Sequence, residues 1–327
     1  MREDILRVSR LKIDFQTLEG VVKALENVSL SVKKGETFAL VGESGCGKST
    51  LGLAIVQTLA SNAVIRSGSI ILDTIDLMKI SEKERRQICG KQVSMIFQDP
   101  STALNPLFTI GAQLSETIKS HISQKSKDEL KKLGMQALRE VRLPDAEKVY
   151  RMYPHELSGG MQQRCVIAIA LSTRPRFLIA DEPTTMLDVT IQAQILELLL
   201  ELKKTIGFSI LLITHNLGIV AETCDRVGIM YAGTIAEEGG VEQVFESPLH
   251  PYTSGLLAAV PKVVEKSLLK DIPGTVPSLI DPPSGCRFHP RCACVMPECR
   301  VTPPEPVEFD SGHMVACYRY ACAHTKR

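Results

Sequence analysis

The segment Gly42–Thr50, with the sequence GESGCGKST, constrains this chain more than any other feature. It follows an apolar run, Thr37–Val41, that is typical of a buried strand, and it fits the pattern G-x-x-x-x-G-K-[ST]. Glycines let the backbone curl so that successive N–H groups point inward at phosphate oxygens. A helix predicted over Gly47–Leu59 adds the positive end of its dipole. The sequence therefore predicts an α/β fold with a strand, a phosphate loop and a helix in succession.

The residues of this phosphate loop have distinct predicted roles. Lys48 supplies a mobile positive charge to the β and γ phosphates of a nucleotide, and the Ser49 hydroxyl ligates Mg²⁺. We interpret the Cys46 side chain as a small group tolerated at a free position, in preference to a redox switch. The predicted nucleotide-binding residues of the loop are Gly42, Ser44, Gly45, Cys46, Gly47, Lys48, Ser49 and Thr50.

The run FLIADE at Phe177–Glu182 predicts a buried strand, Phe177–Asp181, that ends in one acid and is followed by a second. At such a strand end, Asp181 can deliver a carboxylate to the Mg²⁺ shell. Glu182, one residue later, can polarise the water that attacks the γ phosphate. An acid pair at a strand end can instead cap the next segment, but a phosphate loop in the same chain favours the catalytic interpretation.

Two further predicted strands are followed by polar residues. His215 follows Ser209–Thr214, and Gln98 follows Val93–Phe97. Ligands in open α/β sheets bind at the carboxyl ends of the strands. We therefore expect His215 to contact the γ phosphate and Gln98 to reach Mg²⁺ or water.

The composition is that of an ordinary globular protein. The 327 residues include 38 Lys and Arg against 37 Asp and Glu, so the charge balance predicts no nucleic-acid partner. The first residues lack the apolar core of a secretory signal. The most apolar region, residues 191–214, is interrupted by charges, whereas a membrane-spanning helix needs about 20 largely uncharged residues. We expect a soluble chain that other subunits would recruit to a membrane.

Short β-rich runs alternate with helical ones up to residue 240. Leu6–Phe15 and Val21–Val32 predict paired strands, and residues 112–150 predict mainly helix with a break at Pro144. After residue 241, proline becomes frequent and regular periodicity fades. We place a domain boundary near Gly239 and Gly240.

Six of the ten cysteines fall at or between positions 286 and 322. Cysteines of a cytosolic chain stay reduced, so this cluster predicts a metal or redox site more than a disulfide framework. Thiolates at irregular loop positions can wrap one metal centre. Cys286, Cys292, Cys299 and Cys317 follow the spacing C-x5-C-x6-C-x17-C, and Cys294 and Cys322 are extras that could substitute as ligands. The scattered residues Cys89, Cys165 and Cys224 are predicted to be small buried hydrophobes.

At Leu157–Arg164 the sequence LSGGMQQR resembles the signature of ABC ATPases. The phosphate loop, Gln98, this segment, the acid-ended strand and His215 occur in the order of an ABC nucleotide-binding domain, over about residues 5 to 240. The resemblance implies a P-loop ABC ATPase core over residues 1–240, with an antiparallel β subdomain and a helical subdomain at about residues 99–175. A small, irregular, Cys-rich C-terminal domain would occupy residues 241–327.

The family resemblance also implies roles for individual residues. Phe15 would stack on adenine, and Asp188 would lie in the loop that crosses between subunits. Gln98 would sense both the γ phosphate and a transmembrane partner. The signature residues would bind the γ phosphate that is held by the opposite subunit. A hydroxyl and N–H groups without an intrahelical acceptor stand at the start of the signature helix, where they attract an anion. The residues are Ser158, Gly159, Gly160 and Gln163. Hydrolysis would then require a dimer with an identical or homologous ATPase subunit.

Finer features are similar to one branch, the oligopeptide/dipeptide importer ATPases. They are MIFQDPSTALNP at 95–106, YPHELSGGM at 153–161, SPLHPYTSGLLAAVP at 247–261 and IPG at 272–274. The branch implies two transmembrane permease subunits, an indirect solute-binding protein, a place on the cytoplasmic face of the cell membrane, and di- or oligopeptide import. Nickel or another small solute is an alternative cargo. Two rival classes are a soluble ABC ATPase of DNA repair or translation and a metal-sensing module.

Some members of this branch bind a [4Fe-4S] cluster through their tail cysteines. The resemblance implies such a cluster at the four tail cysteines, with a structural or regulatory role and with Zn²⁺ as the alternative metal. Two positions depart from the family pattern: Met186 stands where Ala is usual, and Asn216 stands where Asp is common.

Overall fold

A computed structural model describes residues 3–122, 125–185, 187–259 and 272–321 of the chain. Met186, Cys322 and the end of the 247–261 segment lie outside the described residues. The chain divides into two units. Unit 1 combines Met1–Met78 with Ile213–Arg327, and unit 2 is Lys79–Leu212. Within the described ranges, no helix has the length and apolar character needed to cross a membrane.

The N-terminal part of unit 1 contains an antiparallel sheet and the strand that leads into the phosphate loop. The paired strands predicted from the sequence are confirmed, and the sheet has the order β2-β1-β4-β5. The helix predicted over Gly47–Leu59 ends earlier, because Gln57 has a left-handed φ of 55°. The elements are β1 (Asp4–Thr17), β2 (Gly20–Lys33), β3 (Thr37–Val41), α1 (Lys48–Ile55), β4 (Ala63–Leu72) and β5 (Ile75–Asp76).

Unit 2 is mainly helical, with neighbouring strands in the order β8-β7-β6. Residues 112–150 form three helices rather than one with a single break. The second begins at a capping box, in which Ser126 and Glu129 bond each other's backbone N–H. The elements are α2 (Glu82–Ile88), β6 (Val93–Ile96), α3 (Pro100–Ala103), α4 (Ile110–His121), α5 (Lys127–Glu140), α6 (Ala146–Arg151), α7 (Gly159–Leu171), β7 (Phe177–Asp181), α8 (Val189–Ile206) and β8 (Ser209–Thr214).

The C-terminal part of unit 1 is more regular than its proline content predicts. Proline does not interrupt α11, because Pro251 stands in its first turn, where its missing N–H costs nothing. A short hairpin, β11 and β12, adds to the edge of β10 and gives the order β11-β12-β10-β9-β3. The elements are α9 (Leu217–Thr223), β9 (Arg226–Tyr231), β10 (Thr234–Gly240), α10 (Val241–Glu246), α11 (Pro251–Ala258), β11 (Val307–Asp310), β12 (His313–Val315) and α12 (Tyr318–Ala321).

One hydrophobic core in unit 1 joins the two sides of the predicted boundary near Gly239 and Gly240. Ala39 and Val41 of β3 belong to the same buried cluster as Val244, Tyr252 and Phe288. Burial of this apolar area ties residues after 240 to the strand that carries the phosphate loop. The boundary itself stays a prediction.

The scattered cysteines differ in burial. Cys165 in α7 is fully buried, as predicted. Cys89 and Cys224 are only half-buried, because each stands at the C-cap of a helix, α2 and α9 respectively. The prediction of full burial was wrong for these two residues.

One arginine and two acids form a cluster in unit 1. The Arg226 guanidinium contacts Glu36 at 3.3 Å and also bonds Glu238. Burial raises the pKa of the Glu238 carboxyl to about 7; Arg226 opposes this rise and the charge on Glu36 adds to it. One cation thus balances two buried carboxyls, and protonation of Glu238 removes the excess negative charge.

This cluster predicts a pH dependence of folding. Because the pKa of Glu238 is raised in the folded state, its protonated form stabilises the protein below about pH 5, and this contribution is lost as pH rises through about 7. We expect the free energy of unfolding to fall by on the order of 2 kcal/mol between pH 5 and pH 8, and Glu238→Gln to remove most of that fall. Denaturant unfolding at both pH values measures it, with the exposed Glu246→Gln as control. An equal pH dependence in Glu238→Gln and the control would contradict the assignment.

Candidate functional site

The backbone of the phosphate loop depends on glycine. Gly45 and Gly47 have φ values of 76° and 105°, which lie in the left-handed region. A Cβ atom on Gly42 would lie 2.1 Å from the carbonyl oxygen of Met230, and one on Gly47 would lie 2.7 Å from Leu25 Cδ2. The loop therefore packs against β9 and β2 more closely than any other residue type would allow.

Helix α1 begins directly after the loop and presents its N-terminus to it. Its N-cap is Gly47, a residue without a side chain that could cap the helix. N–H groups in the first turn of a helix have no intrahelical acceptor and attract anions. Lys48 is 6% exposed, and its Nζ donates to the carbonyl oxygens of Gly42 at 2.7 Å and Glu43 at 3.0 Å. The loop and the helix thus bring N–H groups and one ammonium group together.

The side chains of the loop differ in exposure. Ser44 and Ser49 are exposed, and Thr50 is half-buried. Cys46 is fully buried, with its Sγ 3.7 Å from Lys48 Nζ. Burial raises the pKa of its thiol. Burial agrees with a small side chain at this position, and the preference for that interpretation over a redox switch stays a prediction.

Three contacts that the sequence analysis missed support the loop from the C-terminal part of unit 1. The N–H of Gly233 donates to the carbonyl oxygen of Cys46 at 2.8 Å. The N–H of Glu43 donates to the Tyr252 hydroxyl at 3.1 Å, and Arg291 binds the Glu43 carboxylate. Tyr252 lies in the tail segment that resembles the importer branch, but no spacing in the sequence relates it to residue 43.

Phe15 and His215 belong to different elements of unit 1. Phe15 is half-buried in β1, which pairs with β2, the strand that contacts Gly47. His215 is exposed directly after β8. Asn216 caps α9 through its Oδ1, which accepts the N–H groups of Gly218 and Ile219. Asn and Asp both meet that role, so the departure at Asn216 has a local explanation.

In unit 2, two predicted site residues are in direct contact. Strands β6 and β7 are parallel neighbours, so their carboxyl ends meet at one edge. There, Gln98 Nε2 donates to Glu182 Oε2 at 3.0 Å, and the Thr185 hydroxyl donates to the same oxygen at 2.9 Å. Asp181 is buried beside them at the end of β7. Glu182 has a φ of 44°, a strained backbone of the kind that clusters at functional sites.

The signature segment forms the exposed start of α7. Ser158 is the N-cap, and its hydroxyl accepts the N–H of Met161 at 3.4 Å. Gly159 is exposed and Gly160 half-buried, so the first turn of the helix can be approached from outside. Asp188 is exposed and caps α8 in the same way, accepting the N–H of Ile191 at 3.0 Å.

Gln163 differs from the other signature residues. It is 1% exposed, and its Nε2 donates to the carbonyl oxygen of Pro183 at 2.6 Å. This bond holds the chain one residue after Glu182. Gln163 therefore fixes the loop that follows β7, and its predicted contact with nucleotide stays a prediction.

The predicted tail ligands share one small apolar pocket in unit 1. Burial raises the pKa of the Cys286 thiol to about 11, and the nearby thiols of Cys292, Cys299 and Cys317 add to the rise. Among the described residues, no three His, Cys, Asp or Glu side chains form a group that could hold one metal ion. The pocket is lined by Cys286, Cys292, Cys294, Cys299 and Cys317, together with His250, Phe288, His289, Met296, Pro304 and Tyr318.

Comparison with known families identifies the chain. The profile of the family described as "ABC transporter" matches residues 25–185, and that of "Oligopeptide/dipeptide transporter, C-terminal region" matches residues 236–299. The dipeptide transport ATP-binding protein DppD of Bacillus subtilis is 48% identical over 97% of this chain and 95% of its own length. This chain belongs to the ABC transporter ATP-binding family. The resemblance predicted from the sequence is confirmed.

Other relatives and solved structures agree with this family. The oligopeptide transport ATP-binding protein OppD of Escherichia coli is 45% identical over 96% of this chain and 93% of its own length. A dimeric ATP-binding cassette, MJ0796, bound to ADP and phosphate has a TM-score of 0.65 at 26% identity, covering 72% of this chain and 98% of the cassette. The cbiO1 subunit of Clostridium perfringens has a TM-score of 0.64 at 30% identity, covering 75% and 92%. The predicted P-loop ABC ATPase fold is confirmed.

Proposed function

We propose that this chain is the ATP-binding and ATP-hydrolysing subunit that powers import of di- or oligopeptides by an ABC transporter. The observation that carries the catalytic part is the contact between Gln98 and Glu182 at the carboxyl ends of two parallel strands. The peptide cargo rests on relatives named for dipeptide and oligopeptide transport that match nearly the whole chain.

In this proposal the phosphate loop binds the nucleotide through its backbone. The N–H groups around Gly45 and at the start of α1 surround the phosphates, and Lys48 exchanges its two carbonyl acceptors for phosphate oxygens. Ser49, Gln98 and Asp181 offer the hydroxyl, amide and carboxylate oxygens that suit Mg²⁺. When bound, Mg²⁺ would neutralise phosphate charge.

Glu182 accepts a proton from the attacking water in the proposed reaction. Its carboxylate is oriented by Gln98 and Thr185, and its strained backbone points to a position fixed for function. His215, exposed at the end of β8, would steady charge on the γ phosphate. Phe15 would stack on adenine.

The proposal includes a dimer and membrane partners. The exposed start of α7, with Ser158 and two glycines, is a site suited to a phosphate held by another subunit; Asp188 would lie at the same contact. The partner ATPase is a second copy or a homologue. Exposed apolar side chains between residues 97 and 153 of unit 2 would contact permease subunits; they are Phe97, Leu107, Phe108 and Tyr153. The complex would lie at the cytoplasmic face of the membrane and receive its cargo from a solute-binding protein.

Replacement of Glu182 by Gln tests the catalytic assignment. The amide keeps the size of the side chain but cannot accept a proton, so we expect ATP turnover to fall by about 10²-fold or more while ATP still binds. Phosphate release and binding of a fluorescent ATP analogue measure the two effects. Glu156→Gln, at an exposed acid outside the catalytic constellation, is the control. Full turnover in Glu182→Gln would remove Glu182 from this role.

The cargo is tested in the assembled transporter. With its permease subunits in lipid vesicles and its solute-binding protein outside, we expect the complex to hydrolyse ATP faster when di- or oligopeptides are supplied. The Glu182→Gln complex provides the background rate. Stimulation by Ni²⁺ and not by peptides would favour the nickel alternative. A chain that hydrolyses ATP but joins no permease would favour a soluble ABC ATPase.

We also propose that the tail cysteines hold a [4Fe-4S] cluster. Support comes from Cys286, Cys292, Cys299 and Cys317, which all line one apolar pocket. Thiolates at irregular loop positions can hold such a cluster, and a single zinc ion bound by sulfur is the alternative. The cluster would stiffen the C-terminal region.

Metal analysis tests the cluster. After anaerobic purification we expect about four irons and inorganic sulfide per chain, a brown colour, and loss of all three in Cys286→Ser. Cys89→Ser, in unit 2, is the matched control and should keep the iron. Stoichiometric zinc would support the alternative metal, and no metal at all would contradict both. Neither result bears on ATP hydrolysis.

A further inference from the structure

Glu43 introduces a negative charge into the phosphate loop. It is the second residue of GESGCGKST, and its carboxylate is 25% exposed. Its carbonyl oxygen accepts from Lys48 Nζ, the group expected to bind phosphate. An uncompensated acid at this place would repel a nucleotide that carries several negative charges. The structure must therefore neutralise Glu43 or hold it away.

Arg291 supplies the compensating charge. Its Nη1 contacts both carboxylate oxygens of Glu43, at 3.1 and 3.0 Å. Its Nε and Nη2 donate to the carbonyl oxygens of Pro273 and Ile272 at 3.0 and 3.2 Å, and the guanidinium lies 5.8 Å from the ring centroid of Tyr231. With its side chain only 7% exposed, Arg291 is fixed from several sides. Its guanidinium is therefore held in one place, unlike that of an exposed arginine.

Tyr252 holds the same loop residue by its backbone. Its hydroxyl accepts the N–H of Glu43 at 3.1 Å, and its ring is fully buried. The ring packs against Tyr231 and Phe288, with centroids 4.6 and 5.4 Å away. Glu43 is therefore held through its N–H, its carbonyl oxygen and its carboxylate. Two of these three contacts come from residues after position 250.

We propose that Arg291 and Tyr252 are positioning residues for nucleotide: Arg291 neutralises Glu43 and Tyr252 fixes its backbone, so that the C-terminal region sets the affinity of the phosphate loop. The inference rests on the proposed ATP-binding function and extends it. It assigns the C-terminal region a direct part in nucleotide binding.

The test is the affinity for a fluorescent ADP analogue with Mg²⁺, measured on the full chain at low and high ionic strength. ADP is used because it needs no catalytic step. We expect Arg291→Met to bind about tenfold more weakly, the effect typical of losing a hydrogen-bonded charge partner. The loss should shrink at high salt, because salt screens the repulsion by Glu43. Adding Glu43→Gln to Arg291→Met should restore most of the affinity, which a loss of packing would not allow.

Tyr252→Phe separates the second contact. The ring stays and the hydroxyl is lost, so we expect weaker binding with no added salt dependence. The control is Arg300→Met, at an exposed arginine of the same region, which should bind like the unchanged protein. Unfolding midpoints are measured for every variant.

Each outcome of these binding measurements supports or overturns one part of the inference. If the unchanged chain fails to bind ADP, the proposed function fails. If it binds and Arg291→Met binds equally well, or if Glu43→Gln restores nothing, the positioning role of Arg291 is overturned. Unaltered binding in Tyr252→Phe overturns the role of Tyr252. If Arg291→Met fails to fold, Glu43→Gln alone provides the test. This variant leaves the positive charge of Arg291 unbalanced, so ADP should bind more tightly at low salt. An unchanged affinity for ADP would overturn the inference.

Discussion

Parallel pairing of β3 with β9 is the contact on which the phosphate loop depends. The pairing runs from Phe38 opposite Arg226 to Val41 opposite Ile229, and it delivers the next residue, Gly42, to the carbonyl of Met230. Tyr231 and Gly233 follow Met230 in the chain, and the Gly233 N–H donates to the carbonyl oxygen of Cys46 in the loop. The loop is thus shaped by its neighbour in the sheet as much as by its own glycines.

The strands that lead to the predicted site residues could be predicted, because each is marked by a short apolar run in the sequence. The strands Thr37–Val41, Phe177–Asp181 and Ser209–Thr214 have the bounds expected from their apolar runs. The apolar runs end at Gly42, Asp181 and His215 respectively. The C-terminal helices were missed, because proline dominates the local pattern and hides a helix that begins at Pro251. The left-handed turn at Gln57 likewise has no local sequence signal.

Contacts between distant residues could not be read from the sequence. Arg226 meets Glu36 across 190 positions, and no spacing rule relates them. The sharing of one arginine by two buried acids appears only when three strand regions are packed together. The same holds for Gln163, whose signature position predicts an exposed ligand although its amide faces Pro183. These contacts depend on how the whole chain packs, and no single segment of the sequence specifies them.

The separation of Glu43 and Arg291 by 248 positions has a consequence for biosynthesis. A ribosome releases the N-terminal part of a chain first, so the loop emerges long before the arginine that balances its acid. All of unit 2 is made in the interval, because unit 1 is interrupted at Met78 and resumes at Ile213. A nascent or truncated chain therefore carries a complete phosphate-loop motif without its supports.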